Sequence, residues 1–444
     1  MPADAILDRL RAAADGTTTT DGRHTDGLPS QAAAGRTDNP DGPEPVRPAG
    51  EQDAIAGVPA RYVAMPRDTA QAAALLRAAA ALDLAVTFRG GGTKQDWASP
   101  PRRLDLIVDT TALAGVVEHA AGDLITVVRA GTGLDALAAA LAAAGQQLAL
   151  DAPLPGGTVG GAVATNASGP RRMLYGTARD LLIGVTLVRA DGVVAHAGGK
   201  VVKNVAGYDL GKLVTGAYGT LGLVTECAFR LHPLPAAAAY VTRRVDDAAE
   251  AGRLAGTVRA AQLVPAALEV DAPAGGGAAV TVLLEGTPAG VAARVEAAAR
   301  LLGTDATAAD QAPEGWGRYP WRDGDTGLKL TAALSGVPRL LADARAAADR
   351  HGVPLALRGS AGVGVLHAGV PGTAEPERVA GLVDALRAAT AAVAGHAVVL
   401  TAPPTVRDRV DLWGPVDGLA LMRRVKQRFD PDARLAPGRF VGGI

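Results

Sequence analysis

The chain has 444 residues, 48% of them apolar, 3% aromatic and 20% charged, with 44 Lys and Arg against 45 Asp and Glu. This length is too great for one ordinary domain, so two domains are expected, and a net charge of −1 argues against nucleic-acid binding as the main activity. A single cysteine cannot form an internal disulfide or hold an iron–sulfur cluster, and no metal site is predicted.

The N-terminal part, residues 1–54, is predicted to be a flexible tail. Its segment from about Thr17 to Glu51 is rich in Thr, Asp, Gly and Pro and has almost no large apolar side chains. The first ten residues contain acids and arginines instead of the apolar run of a signal peptide. The two longest uncharged stretches, 152–170 and 388–406, are interrupted by Gly and Pro. We therefore expect a cytoplasmic protein without direct membrane insertion.

Residues 55–235 are predicted to form the first domain. A short strand at 62–65 precedes an apolar helix that Asp68 or Thr69 can cap, and a strand at 84–88 then delivers the chain into Arg89-Gly-Gly-Gly-Thr-Lys94. Further strands are predicted at 104–109, 124–128, 182–188 and 222–231, with a hairpin turn at Ala190-Asp-Gly192. Cys227 lies in the apolar run of the last strand and is expected to be buried.

Residues 236–444 are predicted to form the second domain, because Pro233-Leu-Pro235 and the alanines after it mark a boundary. Helices are predicted at 291–302, 339–350 and 377–393, and strands at 266–270, 278–284, 362–366 and 397–400. This mixture is typical of an α+β domain. A last helix at 416–429 leads into residues 430–440.

Two glycine-rich segments of the first domain could bind a ligand. Gly90, Gly91 and Gly92 follow a strand directly and can present several N–H groups to one anion, beside the hydroxyl of Thr93 and the charge of Lys94. The second segment combines glycines with small polar side chains: Gly156, Gly157, Thr158, Gly160, Gly161, Thr165, Asn166, Ser168 and Gly169. Each segment alone could be an ordinary turn or loop. Together they favour a long cofactor with phosphates and a flat ring.

These segments resemble a known family in their order and spacing. Arg89–Lys94, Pro155–Asn166, Arg172–Asp180, Gly199–Asp209 and Gly219–Glu226 are similar to the vanillyl-alcohol-oxidase-type (PCMH-type) FAD-binding fold. Lys203-Asn-Val-Ala-Gly-Tyr-Asp209 and the ending Pro437-Gly-Arg-Phe440 resemble the glycolate oxidase / D-lactate dehydrogenase branch. The short second domain is closest to the FAD-binding E subunit of glycolate oxidase. The resemblance implies an α+β protein: a two-subdomain FAD-binding domain, then a smaller cap domain whose C-terminal segment returns to the first domain.

The resemblance also implies which residues bind FAD. The predicted set consists of the two glycine segments, the wall that follows them and a backbone stretch facing the flavin pyrimidine edge: Arg89, Gly90, Gly91, Gly92, Thr93, Lys94, Gly156, Gly157, Thr158, Gly160, Gly161, Thr165, Asn166, Ser168, Gly169, Tyr175, Gly176, Asp180, Gly222, Leu223 and Val224. Relatives that attach FAD covalently carry a His or Cys in the glycine segments. Here those segments have neither, so non-covalent FAD is expected.

Catalytic residues are less well defined. The D-type subunits have a His-Pro-x-x-Gly-Asp-Gly-Asn-x-His motif in the second domain, whereas the nearest stretch here, Ser360-Ala-Gly-Val-Gly-Val-Leu-His367, retains only glycines and one histidine. His367 is either a group near the flavin or a strand histidine with a local partner. Further candidates are Lys200, Lys203 and Asn204, whose loop the resemblance places close to the flavin, and Tyr208. The alternatives are a solvated surface loop for the first three and a core tyrosine for Tyr208. Trp316, Tyr319 and Trp321 could form a partner contact, a lid over a pocket or part of the ordinary packing.

The sequence thus predicts the FAD-binding subunit of a glycolate oxidase (dehydrogenase) complex. It would oxidise glycolate or a similar small 2-hydroxy acid, passing hydride to flavin N5. Its partners would be a D-type FAD subunit and an iron–sulfur subunit, through which it could associate with a membrane. The alternatives are a non-catalytic FAD-bearing assembly or electron-relay subunit, and a stand-alone FAD-dependent alcohol oxidase.

Overall fold

The computed structural model describes residues 2–16, 44–200 and 207–444. The first part of the chain contains helices and strands in the order α1 Ala3–Ala14, β1 Val46–Pro48, β2 Ala54–Ile55, β3 Val58–Pro59, β4 Tyr62–Ala64, α2 Thr69–Ala81, β5 Val86–Arg89 and β6 Leu106–Asp109. It continues with β7 Val116–Ala120, β8 Ile125–Arg129, α3 Leu134–Ala142, β9 Gln146–Gln147, α4 Val159–Thr165, α5 Arg172–Tyr175, α6 Ala178–Leu181, β10 Leu182–Val188, β11 Val194–Gly198, α7 Leu210–Val214, β12 Leu223–Arg230 and β13 His232–Pro233.

The second part contains β14 Ala237–Val245, α8 Ala248–Ala260, β15 Ala267–Ala272, β16 Ala278–Gly286, α9 Pro288–Leu302, β17 Thr307–Ala309, β18 Thr326–Thr331, α10 Val337–His351, β19 Ala356–Ser360, β20 Val365–Val370, α11 Pro376–Ala391, β21 Ala397–Thr401, α12 Pro404–Arg407 and α13 Leu419–Phe429. Within the described ranges, no helix is both long and apolar enough to span a bilayer.

The first sheet has the strand order β1-β4-β6-β5, with β4 and β5 parallel to β6, and α2 packs on it. α2 begins where predicted, because the carboxylate of Asp68 accepts a hydrogen bond from the N–H of Gln71 at 2.8 Å. Its apolar face, with Leu75 and Leu76, is fully buried against the sheet.

The expectation of a tail throughout residues 1–54 is wrong at both of its ends. α1 packs against α2, and its Leu10 is completely buried. β1 pairs with β4, and the carboxylate of Asp53 is buried between Arg47 and Arg89. Ile6 and Leu10 form only a short apolar stripe among alanines and charged residues. The amino-acid composition of this region therefore does not indicate a helix that packs on the core. The Thr- and Pro-rich residues 17–43 lie outside the described residues.

The second sheet is antiparallel, with the order β11-β10-β12-β8-β7, and helices α3, α4, α6 and α7 contribute to the core on it. The turn after β10 contains Gly192, whose positive φ of 76° closes the predicted hairpin. Cys227 is completely buried on the central strand β12, as expected, and burial raises the pKa of its thiol.

The second part forms one antiparallel eight-stranded sheet with the order β17-β14-β16-β15-β19-β20-β18-β21. Helices α8, α9, α10 and α11 share a single apolar core with one of its faces. The predicted strand at 362–366 is displaced to Val365–Val370, because the chain turns at Gly364, where φ is +68°. Four strands, β14, β17, β18 and β19, are additions to the prediction, and β14 runs through the alanines that were predicted to mark a boundary.

The C-terminal segment, residues 430–440, returns to the first sheet. The N–H of Val86 donates to Arg434 at 2.8 Å and the N–H of Ala436 donates to Val86 at 2.7 Å, so the segment extends the sheet beside β5. Lys426 of α13 fixes it in place. Its ammonium donates to the carbonyls of Thr220 and Leu435 and to the carboxylate of Asp430, at 2.9, 2.8 and 2.7 Å.

We expect K426M to lower the free energy of unfolding by about 3 kcal/mol, because it leaves the buried carboxylate of Asp430 without its counter-ion. Urea denaturation followed by circular dichroism measures the change. The matched control is K212M, which removes an exposed ion pair with Asp209 and should cost less than about 1 kcal/mol. Equal effects of the two substitutions would contradict the role given to Lys426.

Candidate functional site

The two glycine-rich segments face each other across a cleft, called here the glycine cleft. It consists of two adjoining cavities of about 550 and 520 Å³ that share Phe88, Gly90, Gly161, Ala164 and Tyr218 in their walls. The remaining predicted residues in its lining are Arg89, Gly91, Gly92, Thr93, Lys94, Thr158, Gly160, Thr165, Gly222, Leu223 and Val224. The cleft is therefore lined by both glycine segments and by residues 222–224, the residues at the start of β12 that were predicted to face the flavin.

The approach of the two segments explains why they need glycine. A Cβ atom on Gly91 would collide with the carbonyl oxygen of Gly156, and one on Gly90 would collide with the hydroxyl of Thr158. The hydroxyl of Thr158 also accepts a hydrogen bond from the N–H of Gly161 at 3.2 Å, which caps α4. Gly92, by contrast, has open space around it and uses its freedom for a φ of +74°.

Two cations line the part of the cleft beside Gly91. Lys94 is partly buried and bonds only to the hydroxyl of Thr93 among the described residues, at 3.2 Å; burial lowers the pKa of its ammonium to about 8. Arg439, from the C-terminal segment, donates to the carbonyls of Gln95 and Trp97, while its Nη1 has no partner in the described structure. Burial lowers the pKa of Arg439 to about 10. Two cations with spare donors fit a diphosphate.

Some predicted residues have structural partners instead. Arg89 forms ion pairs with Asp53 and Asp109, each at 2.9 Å, so its guanidinium is already occupied. Tyr175 donates to the carboxylate of Glu285 at 2.8 Å. Asp180 caps α6. None of the residues Asn166, Tyr175, Gly176 and Asp180 lines the glycine cleft, and Gly156 and Gly157 border a neighbouring cavity of about 700 Å³.

Ser168 and Gly169, the last two predicted residues of the second glycine-rich segment, line a different cavity of about 330 Å³, called here the cap cavity. It lies between the two parts of the chain, and its polar lining includes Arg172, Glu269, Tyr319, Ser360 and His367. The order of the cap sheet explains how these residues meet. Register pairs Arg358 with His367 and His367 with Lys329 across β19, β20 and β18, and pairs Glu269 with Ser360 across β15 and β19.

Alternation along the strands separates this polar face from the helix-covered face. Leu328, Leu330, Leu366 and Ala368 flank Lys329 and His367 in sequence, and all four are buried in the helix-packed core. Side chains at alternate positions of a strand lie on opposite faces of a sheet. His367 and Lys329 therefore belong to the other face, on the side of the first domain.

α5 carries Arg172 into the cap cavity. The neighbouring Met173 packs against the cap core beside Gly362, and Tyr175 bonds to Glu285 of β16. Arg172 itself donates through Nε to the carbonyl of Gly169 at 3.0 Å and has no carboxylate within ion-pair distance among the described residues. An unpaired guanidinium in a partly buried cavity is suited to a carboxylate ligand.

Burial changes the protonation of the groups around Arg172. Desolvation, with Arg172 and Lys329 adding repulsion, lowers the pKa of His367 well below its usual value, so the imidazole is neutral at pH 7. Desolvation also lowers the pKa of Lys329 and raises that of Glu269, each to about 8. The cavity thus combines a cation, a neutral imidazole and a carboxyl that is largely protonated at pH 7.

The other sequence candidates lie elsewhere. Lys203 and Asn204 fall outside the described residues, and the side chain of Tyr208 is 92% exposed. Lys200 forms an exposed ion pair with Glu118. The predicted aromatic cluster is real but divided, because Tyr319 stacks on Trp321 with 4.3 Å between ring centroids while Trp316 contacts Tyr240.

Sequence reasoning missed most of the cap cavity. Glu269 and Lys329 are the charged interruptions of the apolar strands Ala267–Ala272 and Thr326–Thr331, and this break was the available signal for both residues. Arg172 and Arg439 lay inside motifs that were noted without a role for the arginine. Phe88 and Tyr218, which line the cleft, had no distinguishing signal.

Comparison with known proteins connects these features to a family. The sequence matches the FAD binding domain family over residues 60–198 and the C-terminal domain of FAD linked oxidases over residues 330–440. It is 39% identical over 140 residues to the glycolate oxidase subunit GlcE of Escherichia coli (strain K12), which covers 31% of this chain and 40% of that protein. It is 34% identical over 174 residues to the D-lactate dehydrogenase of Archaeoglobus fulgidus, 38% of each chain.

Among solved structures, p-cresol methylhydroxylase with substrate bound superposes with a TM-score of 0.67 at 16% identity, covering 88% of this chain and 90% of that one. The likeness in structure therefore extends over both parts of the chain. The alignments to the two curated relatives are shorter, spanning 40% and 38% of their lengths.

We expect G91A to weaken FAD binding by about tenfold or more, because the new methyl group would force Gly156 and its segment away from the cleft. G92A is the matched control: it meets no neighbour, and its strained backbone should cost only about 1 kcal/mol of stability. Fluorescence titration of the apoprotein with FAD measures affinity, and melting temperature reports stability. If G91A and G92A bind FAD equally well, the close packing of the two glycine segments is not required for FAD binding.

We expect the affinity of the apoprotein for FAD to fall as pH rises above about 8. The Lys94 ammonium is mostly charged below its pKa of about 8 and is progressively lost above it, so the attraction to a diphosphate weakens on the alkaline side. Titrations between pH 6.5 and 9.5 test this. K94M should bind FAD more weakly and show a flatter pH dependence. A wild-type affinity that stays constant through pH 9 would contradict the assignment.

Proposed function

Because the chain belongs to the FAD-linked oxidoreductases with a PCMH-type fold, we propose that it oxidises a small 2-hydroxy acid to the 2-oxo acid. The observation that carries this proposal is the cap cavity, where an unpaired guanidinium and a neutral imidazole lie beside Ser168 and Gly169 of the second glycine segment. A carboxylate and an adjacent hydroxyl are the two groups that such a pair recognises.

FAD fits the glycine cleft by the chemistry of its walls. Arg439 Nη1 and Thr87 Oγ1 are buried donors without a partner among the described residues, and Lys94 has no carboxylate partner there. Lys94, Arg439 and the backbone around Gly91 would hold the diphosphate, and small residues from Gly160 to Thr165 would leave room for the rest. When bound, FAD supplies the acceptor for the hydride that leaves the α-carbon. Cys227 is completely buried in strand β12 and is not among the residues that line the cleft, which supports non-covalent attachment.

The cap cavity would bind the substrate and remove its hydroxyl proton. Arg172 would bind the substrate carboxylate and orient the α-carbon. His367, neutral because of its burial, would accept the hydroxyl proton as the C–H bond breaks. The rings of Tyr319 and Trp321, with centroids 4.8 and 5.9 Å from that of His367, fix the imidazole and exclude water around it.

We propose that the electrons leave through partner proteins: a D-type FAD subunit and an iron–sulfur subunit. A chain with one buried cysteine cannot ligate a cluster of its own. Similarity to a subunit of glycolate oxidase supports a multi-subunit assembly and glycolate as one substrate. The reduced histidine content of the cap favours, as a second candidate, a subunit whose FAD only relays electrons, because the motif around His367 lacks the other groups of the D-type subunits.

We expect H367N to lower kcat/KM for glycolate-dependent dye reduction by about 10² to 10⁴, the usual contribution of a general base. The wild-type rate should not decline as pH is lowered from 7.5 to 6, since a base with a depressed pKa stays unprotonated there. H196N is the control, because that histidine bonds Thr186 in the distant β10–β11 hairpin.

The assay is run on the FAD-loaded chain alone and with its two partners. Full activity of H367N in the complex would remove the base assigned here and leave the electron-relay function. Activity of the chain alone would favour a stand-alone oxidase. Acid precipitation of the same material should leave the flavin in solution; a yellow pellet would contradict non-covalent attachment.

A further inference from the structure

The cap cavity has more polar groups than a carboxylate and one hydroxyl can satisfy. Beyond Arg172 and His367, its lining contains Glu269, which is 9% exposed, and Ser360, which is 3% exposed. Glu269 Oε1 and Ser360 Oγ are fully buried. The Ser360 hydroxyl is near enough to the Glu269 carboxyl to act against the rise in its pKa, but neither of the two atoms has a hydrogen-bond partner with good geometry among the described residues. Buried polar atoms of this kind cost free energy unless a ligand or water completes them.

Glu269 and Ser360 form one unit. They face each other in register across β15 and β19, so their side chains project from adjacent positions on the polar face of the cap sheet. Arg358, the nearest cation on β19, is bidentate to Asp271 at 3.0 and 2.9 Å and also donates to Gly315. Its charge is therefore neutralised, and it does not complete Glu269.

The chemistry around the pair restricts what it can bind. A cationic group would be repelled by the unpaired guanidinium of Arg172. A neutral hydroxyl both donates and accepts, which is what a carboxyl and a serine hydroxyl can each complete.

We infer that Glu269 and Ser360 form a subsite for a hydroxyl on the tail of the substrate, so that the preferred substrate is a polyhydroxy acid such as glycerate and not glycolate. Arg172 binds the carboxylate end, and the Glu269–Ser360 pair binds the hydroxyl carried beyond the α-carbon. This inference rests on the proposed function, because both ends belong to the acid that is oxidised.

The test compares ligands that differ only in this hydroxyl. Isothermal titration of the FAD-loaded protein with hydroxypyruvate and with 2-oxobutanoate measures binding without turnover, and glyoxylate serves as the tail-free reference. We expect hydroxypyruvate to bind about tenfold more tightly than 2-oxobutanoate, the value of one well-made buried hydrogen bond to an otherwise unpaired group. Rates of flavin bleaching with glycerate and 2-hydroxybutanoate should show the same preference.

Variants locate the effect. E269L should reduce the difference between hydroxypyruvate and 2-oxobutanoate to within about twofold, S360A should reduce it in part, and E269Q should retain part of it, because an amide still donates and accepts. E296Q, at an exposed position of α9, is the matched control and should preserve the full preference. Melting temperature and FAD content verify that each variant is folded.

Equal binding of hydroxypyruvate and 2-oxobutanoate by the wild type, or a preference that survives in E269L, would identify the pair as a hydration site only and overturn the inference. If E269L fails to fold, the wild-type ligand pair and S360A still decide. If the protein oxidises glycolate but shows no preference for substrates with a tail hydroxyl, the inference is overturned and the proposed function stands. A folded, FAD-loaded protein that neither binds glyoxylate nor oxidises any 2-hydroxy acid would overturn the proposed function with it.

Discussion

The ammonium of Lys426 is the interaction on which the arrangement of the glycine cleft depends. It bonds Thr220, in the loop that forms one wall of the cleft, and Leu435, which extends the sheet that ends in Gly90. Asp430 supplies the counter-charge and also accepts from the backbone of Leu435 at 2.7 Å. One desolvated cation thus ties the C-terminal region, which contains Lys426, Asp430 and Leu435, to the loop at Thr220, 206 residues earlier in the sequence. Such a group stabilises only the geometry that satisfies all its donors, which makes the cleft walls rigid before any ligand arrives.

The two cavities are built by different physical means. The glycine cleft is a product of missing side chains: its segments approach so closely that Gly91 and Gly156 touch through backbone atoms, leaving N–H groups as the lining. The cap cavity is a product of strand alternation, which sends leucines toward the helices and Lys329, His367 and Glu269 toward the first domain. The first suits a diphosphate, whose recognition is largely through backbone and charge. The second suits a small acid, whose recognition is through individual side chains.

Sequence patterns predicted the first domain better than the second. Asp68 and the apolar run after it are a local signal, and the structure confirms helix α2 there. The glycine segments were conspicuous for the same reason, since a ligand-lining loop without side chains has few other purposes. Lys329 and Glu269 could not be placed from sequence, because their meeting depends on the strand order β15-β19-β20-β18, which joins residues from distant parts of the chain. α1 escaped detection because two large apolar residues among alanines carry little weight in composition, yet Leu10 is fully buried.

Val86 of β5 and Leu435 are joined by a parallel β-bridge, although they lie in distant parts of the sequence. A ribosome makes the first glycine segment early, but the strand that supports it acquires its neighbour only when residues 434–436 have emerged. Until then the edge beside Val86 is open, and the Lys426 contacts do not exist. A chain interrupted in the cap domain therefore lacks both the neighbour of Val86 and the Lys426 contacts, and it leaves an open sheet edge beside the first glycine segment.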